Sequence, residues 1–138
     1  MEYALDDCLI MNTRKAARAL TRRADHKLRS VGITAAQFNI LGTLSTNSAA
    51  SITEMAAFLA VDRTTLSRNL AVLARRKLLS TGPGDLARTR RIELTPAGKK
   101  AFEAALPIWK AAQEELRNML AHPDFQTTLT GLRHLAKL

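Results

Sequence analysis

Arg63, Thr64, Thr65, Ser67 and Arg68 follow directly on Asp62, an acid that can cap a helix. At about 100° per residue, Leu66, Leu70 and Leu73 form one stripe of such a helix. Thr64, Arg68 and Arg75 project from the opposite side, with Thr65 and Ser67 on the flanks. Those side chains carry the groups that read base edges. Arginine forks onto guanine, and threonine and serine meet base acceptors or the thymine methyl. The N-terminal half of such a helix is the part that enters a major groove. Further on, Arg88 and Arg90 follow Gly82-Pro83-Gly84, a segment that reads as a turn able to carry them away from the body. Arginines presented in this way insert favourably into narrow, A·T-rich minor grooves.

Charge is concentrated in the same region. Residues 63–100 hold ten Lys and Arg against two acids, Asp85 and Glu93, a sum of +8 in a chain of formal charge +9. Residues 1–62 sum to +1 and residues 101–138 to zero. A local positive field of this kind is the footprint of a polyanion partner. No acid falls between Arg63 and Gly84, as a face turned toward phosphates requires.

The elements that must position these residues are mostly helical. The 138 residues suffice for one domain, and the low aromatic content of 4% with abundant Ala and Leu favours helices over strands. Residues from about Asp6 to Val31 read as one helix, roughly 36 Å long, ended by Gly32. Leu9, Ala16, Ala17, Leu20, Ala24, Leu28 and Val31 line one face, while Arg14, Lys15, Arg18, Arg22 and Arg29 occupy the other. Thr34 to Gln37 reads as a capping box opening a helix through Leu44, with Phe38, Leu41 and Leu44 inward. A loop at Asn47-Ser48-Ala49-Ala50 leads to a second box, Ser51 to Glu54, and a helix to Leu59. After a tight Ala60-Val61 turn, the helix capped by Asp62 is expected to run through Leu78. This spacing is that of a helix-turn-helix.

Short strands at Leu79–Thr81 and Arg91–Leu94 predict a hairpin with a nine-residue connection. Thr95 then caps a long helix with Pro96 in its first turn. Its stripe is Ala97, Ala101, Ala105, Ile108, Ala112, Leu116 and Met119 or Leu120, and Pro107 is expected to kink it. His122-Pro123 breaks the chain, and Asp124 caps a last helix with Phe125, Leu129, Leu132 and Ala136 inward. The first and last helices carry apolar stripes with too little chain to cover them.

The ordered set of capped helix, helix-turn-helix, basic hairpin and Ile92-Glu93-Leu94-Thr95-Pro96-Ala97-Gly98 resembles the MarR family of bacterial transcription regulators across essentially the whole chain. Gly32-Ile33-Thr34-Ala35-Ala36-Gln37-Phe38 and Asp62-Arg63-Thr64-Thr65-Leu66-Ser67-Arg68 also carry the likeness, and Leu-Thr-Pro-x-Gly is its most specific motif. The resemblance implies a mostly α fold with a small β-hairpin wing, a winged helix-turn-helix with long N- and C-terminal dimerisation helices. Residues 34–98 would form the DNA-binding lobe, and 1–31 with 99–138 the dimerisation region, of a single domain spanning 1–138. The expected partners are a second copy of the chain and a pseudo-palindromic operator with half-sites ~34–36 Å apart. The family's wing has Asp-x-Arg at its tip. Asp85-Leu86-Ala87-Arg88 is one residue longer, with Arg88 the best match to the minor-groove arginine.

The function this implies is a cytoplasmic repressor released by a small-molecule effector, neither an enzyme nor a membrane protein, with no cofactor. The family's effector pocket would be lined by the first helix, the helix at 34–44 and the helix after Pro96, with Arg18, His26 and Trp109 as conceivable contributors. Two further readings use the same chain. One is a redox-sensing regulator built on Cys8; Asp6 and Asp7 precede that thiol and would raise its pKa, against what a sensor requires. The other is a nonspecific architectural DNA-binding protein, which has no need of the Thr/Ser/Arg face. No metal-ligand spacing, carboxylate pair or nucleophile set points to catalysis.

Overall fold

A computed structural model of the chain describes residues 4–46, 51–83 and 90–138, with Pro83 and Arg90 described by backbone alone. After a short turn at Leu5–Asp7, the elements are α1 (Leu9–Leu28), α2 (Ala35–Thr46), α3 (Ile52–Leu59), α4 (Arg63–Arg75), β1 (Leu79–Pro83), β2 (Arg90–Leu94), α5 (Pro96–Met119) and α6 (Phe125–Leu135). The loop expected at 47–50 lies outside the described residues.

The first helix is shorter than its apolar stripe suggests. It passes into a 3-10 turn at Arg29–Val31, which Gly32 closes in the left-handed region at φ 74°. Both halves of the capping box at Thr34 form. The Gln37 N–H donates to the Thr34 hydroxyl at 3.2 Å, and the Thr34 N–H donates to the Gln37 side-chain oxygen at 3.1 Å. Asp25 adds a cap from α1, its carboxylate accepting the Ala35 N–H at 2.7 Å. Ser51 caps α3 by accepting the Glu54 N–H at 3.1 Å.

The fourth helix stops at Arg75 rather than Leu78. Lys77 turns left-handed at φ 59°, and the Leu78 N–H reaches back to the Leu73 carbonyl at 3.0 Å. That six-to-one bond closes a helix in the manner of a C-terminal glycine, here with lysine at the strained position. Gly82 and Pro83, expected in a turn, instead extend β1. The antiparallel ladder pairs Leu79 with Leu94, Thr81 with Ile92 and Pro83 with Arg90. Proline is tolerated there because a two-stranded sheet has edge positions that need no N–H. The connection therefore shortens to residues 84–89.

The core sits within α2, α3, α4, the hairpin and the first half of α5. Leu41, Leu73 and Ala105 are fully buried, with Ile40, Leu44, Met55, Leu66 and Ile92 around them. Phe102 and Trp109 of α5 both stack on Phe38, with ring centroids 5.2 and 5.7 Å away. Phe102 lies off the alanine stripe read from the sequence, and Ala97 on that stripe is exposed. The fifth helix runs through Pro107 as one element. The sixth buries no residue. Leu9, Ile10, Met119 and Leu132 stand exposed at 61, 73, 64 and 44%, an apolar surface that one copy of the chain leaves uncovered.

The turn between α3 and α4 offers a stability test. Ala60 closes α3 in the left-handed region at φ 53°, which costs a residue with a Cβ roughly 1–2 kcal/mol. Ala60→Gly is expected to raise stability by about 0.5–1 kcal/mol, the relief being partly offset by glycine's unfolded-state entropy. The urea midpoint reports it, and an unchanged or lower midpoint would show that no strain resides at Ala60.

Candidate nucleic-acid interface

The polar face read from the sequence is assembled at the start of α4. Asp62 caps the helix, accepting the Thr65 N–H at 2.7 Å and the Thr65 hydroxyl at 2.8 Å. These bonds, the backbone one first, hold the Asp62 carboxyl below its ordinary value. Thr65 thus donates its hydroxyl to the cap, leaving its methyl on the exposed face. Arg63, Thr64, Ser67 and Arg68 are exposed on the first two turns. Leu66, Leu70 and Leu73 are buried beneath them and fix the rotation of the helix. Arg75 is also exposed, but lies seven residues beyond Arg68, about 10 Å along the axis. It stands apart from the groove-entering half.

Both ends of α4 are tied down. At its start, the Val61 N–H donates to the Ala56 carbonyl of α3 at 3.1 Å. At its end, the Arg76 guanidinium donates to the Gly32 carbonyl at 2.7 Å. Thr95 closes the base of the hairpin, donating its hydroxyl to the Lys77 carbonyl at 2.7 Å and its N–H to the Leu78 carbonyl at 3.1 Å. No spacing rule in the sequence points to Arg76, since its partner is a backbone carbonyl 44 residues away.

In the hairpin, Arg90 opens β2, at the outermost pair of the ladder opposite Pro83. Arg91 is engaged by Glu93 at 3.2 Å. Asp85 and Arg88 lie outside the described residues.

A cavity of about 330 Å³ opens between α1, α2, α5 and α6. Of the three conceivable contributors, Trp109 lines it, while also stacking on Phe38, whereas Arg18 and His26 do not. Both are exposed on the side of α1 turned to solvent. The cations on the cavity wall are Arg23 and Lys27, one helical turn apart. Glu115 of α5 bridges them at 2.7 and 2.8 Å, and these contacts, Lys27 first, hold its carboxyl below the usual value. Among the described residues, no helix is long and apolar enough to cross a membrane, and no cluster of His, Cys, Asp and Glu could hold a metal.

A family model described as MarR family matches residues 31–88, a span that includes α2, α3, α4 and β1. The transcriptional regulator MosR of M. tuberculosis, solved in complex with DNA, is 36% identical, with 95% of each chain covered and a TM-score of 0.87. The chain belongs to the MarR family. BpsR of Bordetella bronchiseptica, in a structure concerned with regulation of its DNA binding by 6-hydroxynicotinic acid, has a TM-score of 0.89 over 100% of both chains at 22% identity. A mutant MarR from E. coli complexed with operator DNA reaches 0.82 over 92% of both, also at 22%. These two likenesses are of fold alone. No curated protein matched the chain. In this MarR-family fold, α3 and α4 are the helix-turn-helix and the β1–β2 ladder is the wing.

Proposed function

We propose that the protein is a homodimeric, sequence-specific DNA-binding repressor, released from its operator by a small molecule held in the cavity beside α1 and α5. In this reading residues 34–98 form the reading lobe, and 1–31 with 99–138 join the two copies. The protein acts by binding and not by turnover. The observation that carries it is the exposed Thr64, Ser67 and Arg68 face at the capped start of α4. A protein that gripped phosphates alone would have no use for that face. The uncovered apolar side chains of α1, α5 and α6 support the dimer. The cavity, and the regulation of BpsR by 6-hydroxynicotinic acid, support an effector.

Arg68→Ala and Arg88→Ala separate base reading from phosphate binding. Loss of Arg68 is expected to cost about 1–3 kcal/mol and to relax preference at one base position per half-site. Loss of Arg88 is expected to weaken chiefly those sites whose flanks are A·T-rich. Fluorescence anisotropy on duplexes selected from a random-sequence pool measures both. Equal weakening on every sequence by both variants would replace specific recognition with nonspecific binding.

A further inference from the structure

The cations of α1 and of the 3-10 turn that follows it fall into two sets. Arg23 and Lys27 face α5 and are both taken by Glu115. Arg14, Lys15, Arg18, Arg22 and Arg29 are exposed, and among the described residues none of the five forms an ion pair. At about 100° per residue these five fall within a single arc of about 100°. The acid that shares the arc, Asp25, directs its carboxylate to the start of α2. The apolar face of Leu9, Ala16, Ala17, Leu20 and Ala24 is centred roughly 165° away. Leu20 and Ala24 of that face line the cavity shared with α5 and α6, so the basic stripe lies on the side of α1 turned away from the body of the chain.

The stripe has the chemistry of a phosphate contact. Four of its five members are arginine, whose planar fork matches phosphate oxygens. Arg14, Arg18 and Arg22 follow at four-residue intervals, about 6 Å apart along the axis, close to the separation of neighbouring phosphates on one strand. It is also continuous with the reading lobe. Arg29 lies three residues before Gly32, whose carbonyl is gripped by Arg76, and Arg75 and Lys77 flank that arginine in the chain, Arg75 exposed.

We infer that this stripe is a second nucleic-acid contact, holding the phosphate backbone of duplex that flanks the operator core, outside the segment read by α4 and the wing. The inference rests on the DNA-binding reading above. Phosphates neutralised on one side of a duplex favour its bending toward that side, so flanking DNA can climb from the α4 exit onto α1.

The test compares the parent protein with an Arg14→Ala/Arg18→Ala/Arg22→Ala variant. One probe is a duplex of about 20 bp, two half-sites a turn apart, selected by the parent from a random pool. The other is the same duplex with about two turns of neutral sequence added at each end. The parent is expected to bind the longer duplex about tenfold more tightly, and the variant to bind both lengths alike. On the longer duplex the variant's slope of log K against log salt should be shallower by about 0.9 for each phosphate that is no longer neutralised. A triple Arg→Lys variant is expected to keep most of the gain. Equal parental affinity for both lengths overturns the inference. So does a variant weakened equally on both, which also captures misfolding, or a gain that appears only when a second duplex is supplied in trans. Displacement of the long-duplex gain by polyglutamate at matched ionic strength would assign the stripe to an acidic protein and overturn it too. A parent that binds no duplex at all fails the DNA-binding reading itself, before any variant is compared.

Discussion

Gly98→Ala is expected to destabilise the protein by about 3–5 kcal/mol, the upper end of overpacking effects. A Cβ at this position would stand 2.0 Å from the Leu78 carbonyl oxygen and 3.0 Å from its carbon. Neither is the end of a flexible side chain. The carbonyl is held there because it accepts the Thr95 N–H at 3.1 Å, while the Thr95 hydroxyl binds the Lys77 carbonyl and accepts the Gly98 N–H at 3.0 Å. Relief therefore requires α5 to part from the exit of α4, breaking these bonds together. Against a typical total of ~5–15 kcal/mol, this is a large loss. Thermal denaturation should show the midpoint falling by roughly 10–15 °C for a chain of this size. Gly82→Ala, whose Cβ would meet nothing within 4 Å, is the control and should stay close to the parent. A Gly98→Ala protein with the parental midpoint would mean that α5 does not pack closely against Leu78.

That glycine shows what the sequence made legible and what it withheld. Leu-Thr-Pro-x-Gly was readable as a signature, and Thr95 as a cap with Pro96 behind it. The reason for Gly98 was not, because the obstructing oxygen belongs to Leu78, twenty residues earlier in the chain. Local rules succeeded wherever the cause was local. Asp62, Thr95 and Asp124 cap their helices as their types and positions indicate. Leu66, Leu70 and Leu73 are buried as their period requires.

Local rules failed where tertiary structure overrides them. Lysine is a poor left-handed residue, so nothing at Lys77 marked the end of α4. Gly82-Pro83 has the composition of a turn, yet cross-strand pairing with Arg90 and Arg91 draws it into the ladder. The alanine stripe of α5 hid Phe102, whose place is set by Gly42 on the facing helix; a Cβ there would meet the ring at 3.3 Å. In the candidate interface, Thr64, Ser67 and Arg68 emerged together as expected. Thr65 is exposed beside them and donates its hydroxyl to Asp62, a contact local to the cap. On the cavity side, Arg18 and His26 were on the wrong face of α1, and the pair that lines it, Arg23 and Lys27, was distinguishable only through Glu115 on a distant helix.

Removal of residues 123–138 is expected to abolish operator binding while leaving the reading lobe unaltered. No residue of α6 is buried within one copy of the chain. Phe125 is covered on one side by Arg117, whose guanidinium sits 4.4 Å from the ring centroid, and Leu132 is 44% exposed. Full burial of such a side chain contributes about 1.5–3 kcal/mol; Phe125 and Leu129 are already half-buried along the cavity wall, so they and Leu132 each add part of that value to dimer stability. Once the copies separate, the two half-sites are bound independently and the gain from linking them, on the order of 10²–10⁴, is lost. Sedimentation at micromolar concentration should find a monomer, and anisotropy on a two-half-site duplex should find affinity lower by at least about a hundredfold. Leu132→Glu makes the same test without shortening the chain. Its side chain is already partly in water in the single copy, so the charge opposes association far more than folding. A folded monomer of either variant that binds the two-half-site duplex with parental affinity would show that α6 is peripheral and that the copies are joined elsewhere.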